Sequence, residues 1–210
     1  MKNINLIIDF DSTFIKLETI EVLAEIALKN NNNRKNILGK IKSMTNKAMN
    51  GELSFQEALT NRIKLINATE NDILKTIEII KMNISTSIIK NKQFFIENSK
   101  NCYIVSGGFK EIIEPIVKSY GIKNNQIFAN DLHLNKNGII DGINDQNELS
   151  MDQGKVKIAK KINGNKIILG DGYTDYEIKK FNQAETFIQF TENINRKSLN
   201  NKTVKLSICL

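Results

Sequence analysis

The sequence is poor in the residues that mark secreted, membrane-spanning or metal-clustered proteins. Only two cysteines occur in 210 residues, Cys102 ahead of an apolar run and Cys209 at the penultimate position. That count excludes a disulfide framework and has no metal-ligand spacing, so a reducing cytoplasm is the expected compartment. The one histidine, His133, has no second histidine with which to share a site and reads as an ordinary hairpin residue. The one proline, Pro115, falls inside a helical pattern and predicts a kink or an altered first turn there. No apolar run reaches the length needed to cross a bilayer. Met1 to Ile4 lead straight into the first predicted strand, which leaves no room for a signal peptide. Lysine and arginine number 30 against 23 acids, for a net charge of +7. The sequence pI is about 9.3. No arginine-rich block accompanies that excess, and few aromatics lie between the lysines. A solvated basic surface is therefore expected, not a nucleic-acid interface. Its positive field would still help to collect small anionic substrates.

What is present fits a globular chain, with 40% hydrophobic and 25% charged residues. At this length it holds one ordinary domain, or a core with a smaller insertion. The most informative stretch is Asn5 to Thr13. A short apolar run, Leu6 to Ile8, ends in Asp9 and Asp11, followed by Ser12 and Thr13. The run reads as a strand buried on both faces. The two carboxylates then lie just past its carboxyl end, where open parallel sheets bind ligands. Two close carboxylates repel and resist desolvation unless a cation or a shared proton relieves them.

Helical spacing follows over 18–28, 34–49 and 54–66, with a break at Asn30 to Asn33 and capping-box spacing at Ser54 to Glu57. A fourth helix begins after Thr69 and a fifth pattern covers 85–98. Cys102 to Val105 reads as a second buried strand, and a helix follows Gly108 until Gly121 stops it near Tyr120. Ala129 to Gly142 alternates around Asn135 to Gly138 as a β-hairpin. A helix over 155–162, a strand over 166–169, a helix over 173–181 and a strand over 186–190 come next, and 204–210 could add a last strand. The expected fold is α/β, a mostly parallel, doubly wound sheet with a small hairpin. Residues 1–14 and 83–210 would form the core, and the helices of 15–82 an inserted cap that closes over the strand ends and excludes water.

Three strands end in polar, glycine-containing segments: Asp9 to Thr13, Ser106 to Gly108, and Gly170 to Asp175. A parallel sheet brings those ends to one edge, so Asp9, Asp11, Asp171 and Asp175 share a crevice with Ser106. A glycine-rich turn at a helix start offers backbone N–H groups to a phosphate. Four carboxylates would repel that phosphate without a hard divalent cation such as Mg²⁺. Lys155, at its own helix start, would neutralise remaining negative charge. The residue set points to metal-assisted phosphoryl transfer with a carboxylate nucleophile. Outside this context Glu18 reads as a first-turn acid, Arg62 as a surface cation, and Met49 and Phe55 as interior packing.

The order D-x-D-S-T, S-G-G-F, an isolated lysine and G-D-G-x-x-D resembles the haloacid dehalogenase superfamily, and within it most closely the phosphoserine phosphatases. The likeness extends to the insertion, over 13–25, 44–51 and 55–65. It implies a Rossmann-like core and a cytoplasmic, Mg²⁺-dependent phosphatase that releases L-serine from O-phospho-L-serine, a step of serine biosynthesis. By this resemblance Asp9 would be the nucleophile and Asp11 the general acid, then base. Asp9, Asp171 and the Asp11 carbonyl would hold the metal, with Asp175 in support. Ser106, Gly107 and Lys155 would hold the phosphoryl oxygens. Glu18 would take the substrate ammonium and Arg62 its carboxylate, with Met49 and Phe55 shaping an apolar wall. The register also permits Lys157 as the lysine. Thr174 stands where some relatives have asparagine and is taken as a substrate contact. The segment 30–33 lengthens the first cap helix pair, and 191–196 follows the family only loosely. The expected partner is a small phosphomonoester, with no nucleic acid or membrane, for a monomer or homodimer. Another small phosphomonoester substrate is the alternative, and a catalytically idle basic binding protein a more distant one.

Overall fold

The computed structural model describes residues 4–49 and 52–199, without the side chains of Asn46, Met49 and Ser198. Its sheet has five strands: β1 (Ile4–Ile8), β2 (Cys102–Phe109), β3 (Ile127–Asn130), β6 (Asn165–Gly170) and β7 (Thr186–Gln189). They lie in the order β3-β2-β1-β6-β7. Every pairing is parallel. β1 is central, with Ile8 opposite Ile104 on one side and Leu169 on the other. That position explains why its apolar run is continuous instead of alternating.

Neighbouring residues of β1 serve opposite faces, as the two-residue period of a strand requires. Ile7 joins an apolar cluster with Ile158 and Ala159 of α8 (Gly154–Lys161) and Ile178 of α9 (Tyr173–Lys180). Ile8 joins a second cluster with Ile112, Ile113 and Ile116 of α7 (Lys110–Val117). The second cluster runs on without a break into the helices that precede β2. These are α1 (Thr19–Ala27), α2 (Arg34–Met49), α3 (Phe55–Ile66) and α4 (Glu70–Lys81), and they contribute Leu23, Ile41, Ile63 and Ile77. The starts of α3 and α4 are locally encoded. Ser54 accepts from Glu57 N at 3.2 Å, and Thr69 and Asp72 form a reciprocal capping box.

A two-stranded antiparallel hairpin, β4 (Leu132–Leu134) with β5 (Ile140–Ile143), stands beside the sheet. It is bonded to the α3–α4 junction: Glu70 N donates to Gly138 O at 3.0 Å and Ile140 N to Ala68 O at 2.7 Å. His133 lies exposed on this hairpin with its Nδ1 2.6 Å from Asp141 Oδ1.

The fold class matches the expectation, and the differences are local. The alternating stretch expected as one hairpin from Ala129 is two elements. Its first part, with Ile127 and Phe128, forms β3 at the sheet edge, which makes five parallel strands, not four. β2 continues through Gly107 to Phe109, with a register shift against β3 between Val105 and Phe109. The helical pattern over 85–98 is divided into α5 (Thr86–Lys90) and α6 (Lys92–Glu97). The division falls at Asn91, whose side chain donates to Ser87 O at 2.8 Å. α7 passes through Pro115 and gives way to a 3-10 turn only at Lys118. The expected segment 204–210 lies outside the described residues.

Candidate active site

The ends of β1, β2 and β6 open into a cavity of about 840 Å³ roofed by α2 and α3. Asp9 is held at its floor by the sheet itself: its N–H donates to Leu169 O at 2.9 Å. Its Oδ1 accepts from Phe10 N at 2.8 Å. The chain then turns sharply through Phe10–Phe14, with extended angles at Asp11 and φ of 55° at Ser12. This turn brings Asp11 back beside Asp9 on the cavity wall. Asp11 Oδ1 accepts from Thr19 N at 2.9 Å, and also from Thr19 Oγ1. Placing a non-glycine residue at positive φ costs energy, so Ser12 is held there by its surroundings.

Lys155 enters from the start of α8. Its Nζ lies 2.7 Å from Asp9 Oδ1 and 2.8 Å from Asp175 Oδ1. Asp175 also accepts from Gly172 N at 3.1 Å. Asp175 fits beneath the end of β6 only because residue 170 is glycine. A Cβ there would lie 2.3 Å from Asp175 Cγ. Lys157, the other register, points away, with its Nζ 3.9 Å from Met151 Sδ on the surface.

Burial dominates the electrostatics. It pushes the Asp9 carboxyl up to about 6, with Asp171 adding to the rise and Lys155 opposing it. Burial and the Glu18 charge push Asp11 further, to about 8. Asp171 rises to about 6 and Asp175 to about 7, again chiefly through burial. Burial alone would lower Lys155, but Asp175 and Asp9 outweigh it and hold the ammonium above its ordinary value. Oxygens of Asp9, Asp171 and Asp175 lie within 4.8 Å of one another, and all three residues are buried. Three buried carboxylates are a hard-oxygen donor set, and they fit a divalent cation such as Mg²⁺.

The roof supplies a second set of groups. Glu18, at the N-cap position of α1, accepts from Ser12 Oγ at 2.6 Å and makes no side-chain cap bond to that helix. Arg62 is 7% exposed, far from a surface cation. Its Nε donates to Ala58 O and its Nη1 to Thr45 Oγ1, both at 3.1 Å. Among the described residues no carboxylate pairs with it. Burial lowers its pKa, against the pull of Glu18 and Asp11. The Phe55 ring rests on the backbone of Gly107, where a Cβ would lie 2.8 Å from Phe55 Cζ. Thr174 lines the cavity. The Met49 side chain lies outside the described residues.

No family model matches the chain. Human phosphoserine phosphatase is 30% identical over 196 residues, covering 91% of this chain and 83% of that protein. The chain belongs to the phosphoserine phosphatase family. Among solved structures, a phosphoserine phosphohydrolase-like protein from Francisella tularensis superposes with a TM-score of 0.83. The two are 30% identical, over 98% of this chain and 94% of that one. A phospho-aspartyl intermediate analogue of phosphoserine phosphatase superposes with a TM-score of 0.73 at 26% identity, over 97% and 92% of the two chains.

Within this phosphoserine phosphatase fold, Ser106 is fully buried behind the glycines of β2, its Oγ accepting from Gly108 N at 2.9 Å. It is not among the residues that line the cavity. Arg196 is, and the sequence reading missed it. Its Nε and Nη2 lie 2.8 and 2.7 Å from Asp171 Oδ2. The only signal was its place shortly after the last strand, in the segment that follows the family loosely. With Arg196 included, seven carboxylates (Asp9, Asp11, Glu18, Asp152, Asp171, Asp175, Glu177) and three cations (Arg62, Lys155, Arg196) line the cavity.

Proposed function

We propose that the protein is a Mg²⁺-dependent phosphatase that hydrolyses O-phospho-L-serine to L-serine and phosphate through an aspartyl-phosphate on Asp9. The observation that carries this reading is the separation of two neighbouring carboxyls. The Lys155 ammonium, 2.7 Å from Asp9 Oδ1, favours the ionised form of Asp9, while burial and the Glu18 charge favour the protonated form of Asp11. Environments that push two titratable groups apart assign the base or nucleophile to one and the acid to the other.

In this scheme an Asp9 oxygen attacks phosphorus. Asp11 gives its proton to the departing serine oxygen. Asp11, now ionised, takes a proton from water as that water attacks the phospho-aspartate, and phosphate leaves with Asp9 restored. Lys155 neutralises phosphoryl oxygens, and the Gly107 and Gly108 backbone lies beside them, with Ser106 buttressing that turn. Asp9, Asp171 and the Asp11 carbonyl would hold Mg²⁺, supported by Asp175, and the ion would supply charge neutralisation at the phosphoryl group. Arg62, buried without an acidic partner among the described residues, would receive the substrate carboxylate, and Glu18 its ammonium. A guanidinium fork suits a carboxylate better than an ammonium does. Phe55 and Met49 would form the apolar wall and Thr174 a polar contact.

Residues 15–82 would act as a cap over this site. We place the reaction in the cytoplasm as a serine-forming step, in a monomer or homodimer that acts on a small diffusible substrate. Cys102, a buried free thiol, is compatible with a reducing compartment. The test is a panel of phosphomonoesters assayed with Mg²⁺ and with chelator. Phosphoserine should have the highest kcat/KM, and chelator should stop turnover. A higher kcat/KM for phosphothreonine or a phosphorylated amine would overturn the substrate.

A further inference from the structure

The chain crosses twice between the sheet and the helices of 19–81, after Phe14 and again before α5. The two crossings run antiparallel side by side. Lys16 N donates to Asn83 O at 2.8 Å and Ser85 N to Phe14 O at 3.0 Å. Two hydrogen bonds alone would leave a supple hinge. A residue more than a hundred positions away along the chain sits across both of them.

Asn193 lies just beyond β7. Its Nδ2 donates to Ser12 O at 3.1 Å and to Ile15 O at 3.2 Å on the first crossing. It also donates to Ser85 Oγ at 2.7 Å on the second. Three acceptors for two N–H groups means that one bond is shared. Ser85 is fully buried, and its Oγ donates in turn to Thr13 O at 2.7 Å. The preceding residue reinforces the arrangement. Glu192 accepts from Thr86 N at 2.6 Å and Ser87 N at 3.1 Å, where the second crossing enters α5.

One of the atoms that Asn193 holds belongs to Ser12, the residue at positive φ. The Ser12 hydroxyl donates to Glu18 Oε1. We propose that Asn193 is a positioning residue for substrate discrimination: it pins both crossings and, through Ser12, fixes where the Glu18 carboxylate stands in the cavity. Asn193 touches no reacting atom. It acts at a distance on the group that distinguishes an amino-acid phosphate from a bare one, so the inference rests on the phosphoserine reading.

The experiment compares Asn193→Ala, Asn193→Asp and Ser85→Ala with the parent, each first checked for cooperative thermal unfolding. Two quantities are read: the ratio of kcat/KM for phosphoserine to that for 4-nitrophenyl phosphate, and deuterium exchange over 12–18 and 83–87. Buried acceptors left unpaired cost enough for the ratio to fall roughly 5- to 100-fold in Asn193→Ala. Asn193→Asp should fall further, because its oxygen faces the Ser12 and Ile15 carbonyl oxygens. Ser85→Ala, which keeps two of the three acceptors, should fall less, and it carries the test with Asn193→Ala if the aspartate variant does not fold. Exchange should accelerate in those two segments and not in β6. A folded Asn193→Ala whose ratio stays within about twofold of the parent, or which loses both substrates equally, overturns the proposal. If the parent itself shows no preference for phosphoserine, the substrate reading fails on its own. Exchange then decides the clamp: acceleration confined to the two segments supports it, and unchanged or uniform exchange overturns it.

Discussion

Truncating Arg62 is the perturbation with the largest consequence that leaves the chemical groups untouched. Its guanidinium has five N–H donors. The Ala58 carbonyl and Thr45 hydroxyl take two of them, and the rest have no carboxylate partner among the described residues. A buried cation without an anion is costly, and a substrate carboxylate arriving there removes that cost. Removing one member of such a buried, hydrogen-bonded charge pair costs about 2–5 kcal/mol. At 1.4 kcal/mol per tenfold, Arg62→Ala should lower kcat/KM for phosphoserine by about 30-fold to several thousand-fold. 4-Nitrophenyl phosphate has no carboxylate, so its kcat/KM should change by less than about fivefold, the lower end of what lost packing costs. Steady-state assays of both substrates, with parent and variant at the same Mg²⁺ concentration, give the comparison. Equal losses on the two substrates would refute the reasoning and leave Arg62 as a packing residue.

Glu18→Gln should show the same selectivity with a smaller loss, since the amide keeps one acceptor for the ammonium; an aryl phosphate rate that falls in step would contradict it. Asp11→Asn should slow phosphoserine far more than 4-nitrophenyl phosphate in the first half-reaction, because a nitrophenolate needs no proton to leave. Pre-steady-state release of nitrophenolate would check this, and loss of its burst would count against Asp11 as the acid. Divalent cation and pH should act together on stability. Asp9 and Asp171 stand at about 6 and Asp175 at about 7 in the folded, metal-free chain, above their ordinary 3.8. A raised folded-state pKa stabilises at low pH, and that stability is lost as pH rises through about 6 to 7. Mg²⁺ binds the ionised forms, so its increment to Tm should be larger at pH 8 than at pH 5. Thermal melts with Mg²⁺ and with chelator read it, and a larger increment at pH 5 would refute it.

The acidic floor of the site was legible because strand ends announce themselves. Asp9, Asp11, Asp171 and Asp175 each follow an apolar run within a few residues, and a parallel sheet leaves such residues no other place. Lys155 was separable from Lys157 only by the apolar register of α8, and the structure puts Lys155 against Asp9. β3 was hidden because Ile127 to Asn130 runs directly into the alternation of β4, and periodicity carries no mark of which partner a strand takes. Asn91 ends α5 and begins α6, its side chain and its own N–H both donating to Ser87 O. Arg196 and Asn193 were beyond reach for a different reason. Their partners lie 25 and 181 positions away, in a segment with no regular pattern. Contacts of that kind exist only once the sheet has formed.

The central claim is that Asp9 becomes phosphorylated. Rapid mixing of the Mg²⁺-loaded protein with ³²P-labelled phosphoserine, acid quenching within a single turnover and peptide mapping test it most directly. The account predicts hydroxylamine-labile label on the peptide that contains Asp9, formed and lost at rates consistent with turnover, and no label or turnover in a folded Asp9→Asn. Label on Ser106, or full turnover by a pure Asp9→Asn preparation, would contradict it.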